Sequence, residues 1–263
     1  MLLALMLMVA TGATEADRGR YAACLALTRS NPEAAISTAQ AWRVENGGVG
    51  ALHCLALGQM ARRDYAAAFA SYENAVRASR AAGDGQSVVL LAQAADAALI
   101  AGQPEMALKF LDEGLTSGGG ALATGSDVAT ISPRVESALR LTRAEALVDL
   151  KRDKDAAADL ARATNLAPGD ANGWLLRATL ARRMSDLALA EAAILKAAEA
   201  APDSAEVQYE AGTIAAAQGN MDLARTAWTA AAAADPDSVA GKAAAAALAT
   251  ALAPPAAAAA VPQ

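Results

Sequence analysis

Three phrases decide the fold of this chain: Asn165-Leu-Ala-Pro168-Gly-Asp170, Glu199-Ala-Ala-Pro202-Asp-Ser204 and Ala233-Ala-Asp235-Pro236-Asp-Ser238. Their prolines stand 34 residues apart. Stepping back from each proline, small residues recur in phase. Ala144, Ala178 and Gly212 form one column, Ala156, Ala190 and Ala224 a second, and Ala163, Ala197 and Ala231 a third. A larger apolar residue lies between the last two columns: Leu160, Ile194 and Trp228. Proline cannot continue a helix and drives the residue before it out of α geometry, so each phrase ends a helical unit. Small residues in phase let helix axes approach closely. A unit this short cannot bury its apolar face alone, and stacking on its neighbours does so.

Composition agrees with that reading. Of 263 residues, 78 are alanine, the best helix former, and only nine are aromatic. Sandwiches and barrels lean on aromatic and β-branched residues, so an all-α chain is expected. The net charge of −6 disfavours binding to a phosphate backbone.

The period and its columns resemble the tetratricopeptide repeat (TPR) family. Its unit of 34 residues carries a small residue at position 8, Ala at 20, a larger residue at 24, Ala at 27 and Pro at 32. Units starting at Ser137, Ala171 and Ala205 match all five. Trp174 falls on the family's aromatic position 4 and Gly219 on its turn glycine at 15. Two earlier units, from Ala51 and Val88, match with defects. The first fits only if its turn at Arg62-Arg63-Asp64 is two residues short.

The resemblance implies a right-handed α-solenoid of helix-turn-helix hairpins. The expected organisation is a signal peptide over 1–16, a diverged hairpin over 17–50, two TPR-like repeats over 51–115 and a Gly-rich insertion over 116–132. Three repeats over 133–236, a capping helix over 237–252 and a disordered Ala/Pro tail over 253–263 follow. Asn31 and Ser132 are expected N-caps, each followed by a first-turn proline.

Residues 1–10 form an apolar run too short to span a bilayer but suited to a secretory signal, although no Lys or Arg precedes it. A periplasmic or secreted protein is expected. The alternatives are a cytoplasmic protein or one attached to the membrane by an uncleaved N-terminus. Cys24 and Cys54 fall on the first helices of neighbouring hairpins and could form one disulfide in an oxidising compartment; the other reading is two buried packing thiols.

The chemistry inventory is thin. His53 is the only histidine, and it lies beside Cys54 on one helix, where neighbours point about 100° apart. No metal-ligand spacing, phosphate-binding glycine loop or catalytic pair is legible. We expect no enzyme activity, cofactor or metal, and a binding scaffold for a peptide or partner protein.

The resemblance places the binding groove at first-helix positions 2, 5, 9, 12 and 13. It thereby implies Leu55, Gln59, Arg62 and Arg63 in the Ala51 unit, Val89, Ala92, Asp96, Leu99 and Ile100 in the next, and Leu141 and Glu145 in the third. Asn172, Leu175, Thr179, Arg182 and Arg183 follow, then Tyr209 and Thr213. The arginine pairs could grip a carboxylate, or could simply complement helix C-termini. The family's chaperone-tail clamp uses Lys and Asn at positions 5 and 9, where this chain has Leu175 and Thr179, or Tyr209 and Thr213. The alternative role is an assembly component that uses its convex face and solenoid ends.

Overall fold

The computed structural model describes residues 15–117 and 131–252. The signal-peptide expectation before Glu15, the core of the glycine-rich insertion and the tail after Leu252 lie outside them.

The chain forms two compact units, 1–152 and 153–263. In the first, α1 (Glu15–Ser30) and α2 (Pro32–Val44) precede the antiparallel pairs α3 (Gly48–Ala61) with α4 (Tyr65–Ala82), and α5 (Ser87–Ile100) with α6 (Pro104–Ser117). The helix α7 (Pro133–Asp149) packs on α6 and α5. In the second unit, α8 (Asp153–Leu166) packs on α9 (Ala171–Arg183), which pairs with α10 (Leu187–Ala200). The pair α11 (Ala205–Ala217) and α12 (Met221–Ala234) follows, and α13 (Val239–Leu252) packs on both. No helix among the described residues is long and apolar enough to cross a membrane.

The helix starts follow from the local sequence. The side chain of Asn31 accepts the Ala34 N–H and that of Ser132 the Val135 N–H, with Pro32 and Pro133 in the first turns. Asp64, Asp186 and Asn220 likewise cap α4, α10 and α12.

The turns inside the hairpins set the register. One residue in each is left-handed: Arg63, Gly102, Lys151, Ser185 and Gly219, with φ from +62° to +82°. The N–H of the following residue bonds back to the carbonyl five positions earlier, as Asp64 to Gln59 and Asp186 to Ala181, which closes the first helix. Counted from these residues, every unit carries a buried small residue seven positions back: Ala56, Ala95, Ala144, Ala178 and Gly212. Five positions forward stand Ala68, Ala107, Ala156, Ala190 and Ala224, all fully buried. Nine forward stand Tyr72, Leu111, Leu160, Ile194 and Trp228, and twelve forward Ala75, Gly114, Ala163, Ala197 and Ala231, all buried.

This corrects the sequence-based register of the earliest repeat. Its turn is not short. The unit starts at Val49 rather than Ala51, and its first small residue is Ala56 rather than Gly58. The left-handed turn position is filled by Arg63, as Lys151 and Ser185 fill it in later units, while Gly102 and Gly219 fill it in the other two. A left-handed L-residue costs about 1–2 kcal/mol, part of which glycine recovers. Arg63→Gly is therefore expected to stabilise the first unit by about 0.5–1 kcal/mol. A lowered melting temperature would contradict the register.

The repeat core is close-packed. A Cβ on Gly212 would lie 2.5 Å from the Trp228 ring, so the glycine is what admits an indole to this column. The exposed Pro168 and Pro202 present their carbonyls to position 4 of the next unit. Trp174 Nε1 donates to Pro168 O at 2.9 Å and Gln208 Nε2 to Pro202 O at 2.8 Å. Pro236 is exposed after α12.

Candidate functional site

Three of the four arginines singled out in sequence are engaged within the chain. Arg182 grips Glu210 through two bonds, at 2.7 Å and 3.3 Å, and Glu210 is only 5% exposed. Arg183 lies 3.7 Å from Asp153, and Arg62 bonds Glu33 at 3.0 Å. The geometry therefore fits internal pairing, first helix to first helix in the case of Arg182 and Glu210.

The register correction removes further residues from the expected groove. Leu55 is buried, packed with Cys24, Ala35, Ala39 and Cys54. Arg62 caps α3 and Arg63 is the turn residue. Gln59 accepts from the Ser71 hydroxyl on α4 at 2.7 Å, so it faces its own hairpin. From Val49, the groove positions become Gly50, His53, Leu57, Met60 and Ala61. In the second unit Asn172 is exposed, Leu175 packs partly against the core, and Thr179 is half-buried. Tyr209 packs against the Trp228 cluster, and the Thr213 hydroxyl donates to Tyr209 O and stands 3.5 Å from Trp228 Nε1.

The first unit holds what the sequence reading missed. His53 is 2% exposed and enclosed by two tyrosines, stacked on Tyr21 with ring centroids 5.8 Å apart and tilted against Tyr72 at 5.9 Å. Its Nδ1 meets the Tyr21 hydroxyl at 2.5 Å. Burial lowers its pKa to about 4, with the Gln93 side chain of α5 opposing. Burial raises the Tyr21 hydroxyl to about 12 and pushes Tyr72 up as well. A single signal could have pointed to His53: in the corrected register it occupies groove position 5.

Next along the first helices, Asp96 of α5 accepts from the Thr142 hydroxyl of α7 at 3.4 Å. Burial holds the Asp96 carboxyl above the usual range, and the Thr142 bond opposes. Glu145 reaches solvent one turn beyond Thr142, yet surrounding protein and then the charges of Asp96 and Asp149 raise it too. Two α7 arginines turn elsewhere: Arg140 pairs with Glu136 at 2.9 Å and Arg143 with Asp112 at 3.1 Å. Half-buried Leu57, Met60, Val89, Ala92 and Val148 occupy further groove positions of these helices, and Leu141 is buried. The result is a polar strip with net negative charge, set among apolar side chains.

Cys24 of α1 and Cys54 of α3 are paired as a disulfide in the structure, with Cα atoms 6.2 Å apart, within the range such a bond allows. Both are fully buried.

Antiparallel helix pairs, five left-handed turns in register and buried small columns identify the architecture. The chain has the tetratricopeptide repeat fold. No protein-family model and no curated protein matches the sequence. Solved structures do. The crystal structure of PilW, a widely conserved type IV pilus biogenesis factor, is similar over 88% of this chain and 99% of its own, with TM-score 0.65 and 15% identity. Pseudomonas aeruginosa PilF is similar over 87% of this chain and 96% of its own, with TM-score 0.62 and 16% identity. YrrB, a TPR protein with an unusual peptide-binding site, covers 78% of this chain and 95% of its own, with TM-score 0.53 and 18% identity. At such identities the likeness is one of fold.

Proposed function

We propose that this TPR chain is a non-catalytic scaffold of the cell envelope that holds a segment of a partner protein on the first-helix face of its repeats. The observation that carries the reading is the strip Asp96–Thr142–Glu145 on neighbouring first helices, bordered by incompletely buried apolar residues. Apolar groups in a groove with a few placed polar groups suit an extended or helical segment. YrrB, named for a peptide-binding site, supports a binding role for the fold. The pilus biogenesis factor PilW and the buried cysteine pair favour the envelope, since disulfides persist in oxidising compartments.

A second reading has its own observation. Leu195 of α10 and Leu223 of α12 are more than half exposed, at 58% and 53%, on the second helices of neighbouring hairpins. An assembly component would dock there.

A photo-crosslinking residue placed in turn at Ala92, Ala70 and Leu195 separates the two in cells. Adducts from Ala92, with none from the other two, are expected. Adducts from Leu195 or Ala70 alone would move binding to the second helices. Cell fractionation with thiol alkylation tests the location: recovery in the cytoplasm with two free thiols would refute it.

A further inference from the structure

We propose that Asn46 is a site of spontaneous deamidation. The backbone nitrogen of Gly47 closes a cyclic imide on the Asn46 side chain, and water reopens it to isoaspartate and aspartate. The proposal is independent of the scaffold reading.

The turn between α2 and α3 demands this residue pair for reasons of conformation and packing. Asn46 has φ +62°. Asparagine enters the left-handed region more readily than most other side-chain-bearing residues. Gly47 lies against the Trp42 ring: a Cβ there would stand 2.6 Å from the indole, which is buried. A side chain at position 47 is therefore incompatible with Trp42 in the core. Two separate demands of the fold thus place an asparagine before a glycine, the pair in which no side chain shields the attacking nitrogen.

Accessibility is the second observation. Asn46 is exposed, and among the described residues its carboxamide has no hydrogen-bond partner. Asn31 and Asn220 commit theirs to helix caps, and Asn74 to Arg77. Ring closure needs rotation about the Asn46 Cα–C bond, which releases the Gly47 N–H from Trp42 O, to which it donates at 2.9 Å. That carbonyl keeps a donor, because the Glu45 N–H also reaches it, at 3.1 Å. No acceptor is stranded as the nitrogen turns. Gly48 follows at φ +55°, with no atom within 4 Å of where a Cβ would stand, so the next peptide has room to move.

Of the asparagines, only Asn46 and Asn172 precede glycine. The fold treats the second pair differently. Asn172 lies in the first turn of α9, its N–H bonds Asp170 Oδ1 at 3.0 Å, and Gly173 is buried. The same rotation there would unwind the start of the helix.

Water is the only co-reactant. The Gly47 N–Cγ bond forms as the Cγ–Nδ2 bond breaks, and the Gly47 amide proton leaves with Nδ2 as ammonia. Water then adds at Cγ, giving aspartate, or at the main-chain carbonyl carbon of residue 46, giving isoaspartate with one more methylene in the backbone. Either product puts a negative charge beside Glu45 at the C-terminal end of α2, where the helix dipole opposes it.

The test incubates the oxidised full chain in heavy-oxygen water at mildly alkaline pH, beside the same chain in urea. Reduction and trypsin then separate the two pairs into peptides 44–62 and 163–177. In the native chain, loss of ammonia with uptake of solvent oxygen should run about tenfold faster in the first peptide, because only there is the backbone free to reach the attacking geometry. An isoaspartyl methyltransferase should then label peptide 44–62. In urea the two peptides should react alike. Asn46→Gly, which retains the left-handed turn, should abolish the conversion in 44–62 with helix content unchanged. Equal native rates in the two peptides, or a native 44–62 that stays intact while the unfolded chain converts, would overturn the proposal. So would a preference for 44–62 that persists in urea, since the flanking sequence would then be its cause. Conversion without isoaspartate would mean direct hydrolysis of the side-chain amide and overturn it too.

Discussion

Reduction of the Cys24–Cys54 bridge is expected to destabilise the N-terminal end of the first unit by about 3–4 kcal/mol, the loop-closure value for about 30 residues. The reason lies in how little else holds α1. Of its sixteen residues only Tyr21 and Cys24 are buried. One covers His53 and the other is the bridge itself. The helix packs on α2 and α3, and its ion pair, Arg20 with Glu45, is exposed on both sides. An exposed pair of that kind contributes at most about 1 kcal/mol. The bridge thus acts on an element with few buried residues of its own, where loss of a constraint has a large effect. Hydrogen exchange over residues 15–30, with and without a dithiol reductant, measures it. Cys24→Ala with Cys54→Ala should reproduce the reduced state. Protection of α1 that survives both would show that helix packing alone suffices.

The fold was legible because its determinants repeat. Pro168, Pro202 and Pro236 mark the period, and the alanine columns read through to buried positions in α9 to α12. The earliest repeat was misread because a second small residue lay close to the true column. The turn of the earliest repeat uses Arg63 in the left-handed conformation, which sequence inspection associates with glycine. Gly58, two positions from the true column, offered a false match. It is itself tightly packed: a Cβ there would lie 2.9 Å from the side chain of Ile36. Both small residues are buried, so size alone could not choose between Ala56 and Gly58. The backbone turn could.

The binding face was less legible, because it depends on which side chains reach one another across helices. Arg182 and Arg183 looked available from position alone. Their partners Glu210 and Asp153 stand about 30 residues away in sequence, in adjacent units of the repeat. Asp96 and Glu145 are separated by the insertion, which breaks the period between their repeats. Only the packing of α5 on α7 joins them. His53 read as an ordinary histidine because the register that places it in the groove was the one misread.

That same histidine governs the expected acid response. Folding buries a neutral imidazole whose pKa falls from 6.5 to about 4. The unfolded chain therefore binds one more proton than the native chain between those values, so stability is full above pH 6.5 and declines as pH falls toward 4. The whole displacement corresponds to about 3 kcal/mol. Tyr21, Tyr72 and Gln93 face the ring and carry no charge in that window. Asp96 acts in the opposite sense: its raised pKa lets the native state take up a proton before the unfolded chain does, which favours folding as pH falls. Glu145 has the same sign. Those contributions cancel when the unfolding free energy of the native sequence is subtracted from that of His53→Gln. The difference should be flat above pH 6.5, and the variant should gain about 3 kcal/mol relative to the native sequence by pH 4. The imidazole signals of the oxidised native protein should stay those of a neutral ring down to pH 5. A His53 that titrates near 6.5, or a difference curve flat to pH 4, would mean that the ring is not enclosed between Tyr21 and Tyr72. Because Tyr21 reaches His53 only while α1 stays docked, opening the Cys24–Cys54 bridge should bring the titration back toward its ordinary value. The acid sensitivity and the redox sensitivity of the first unit then have one structural cause.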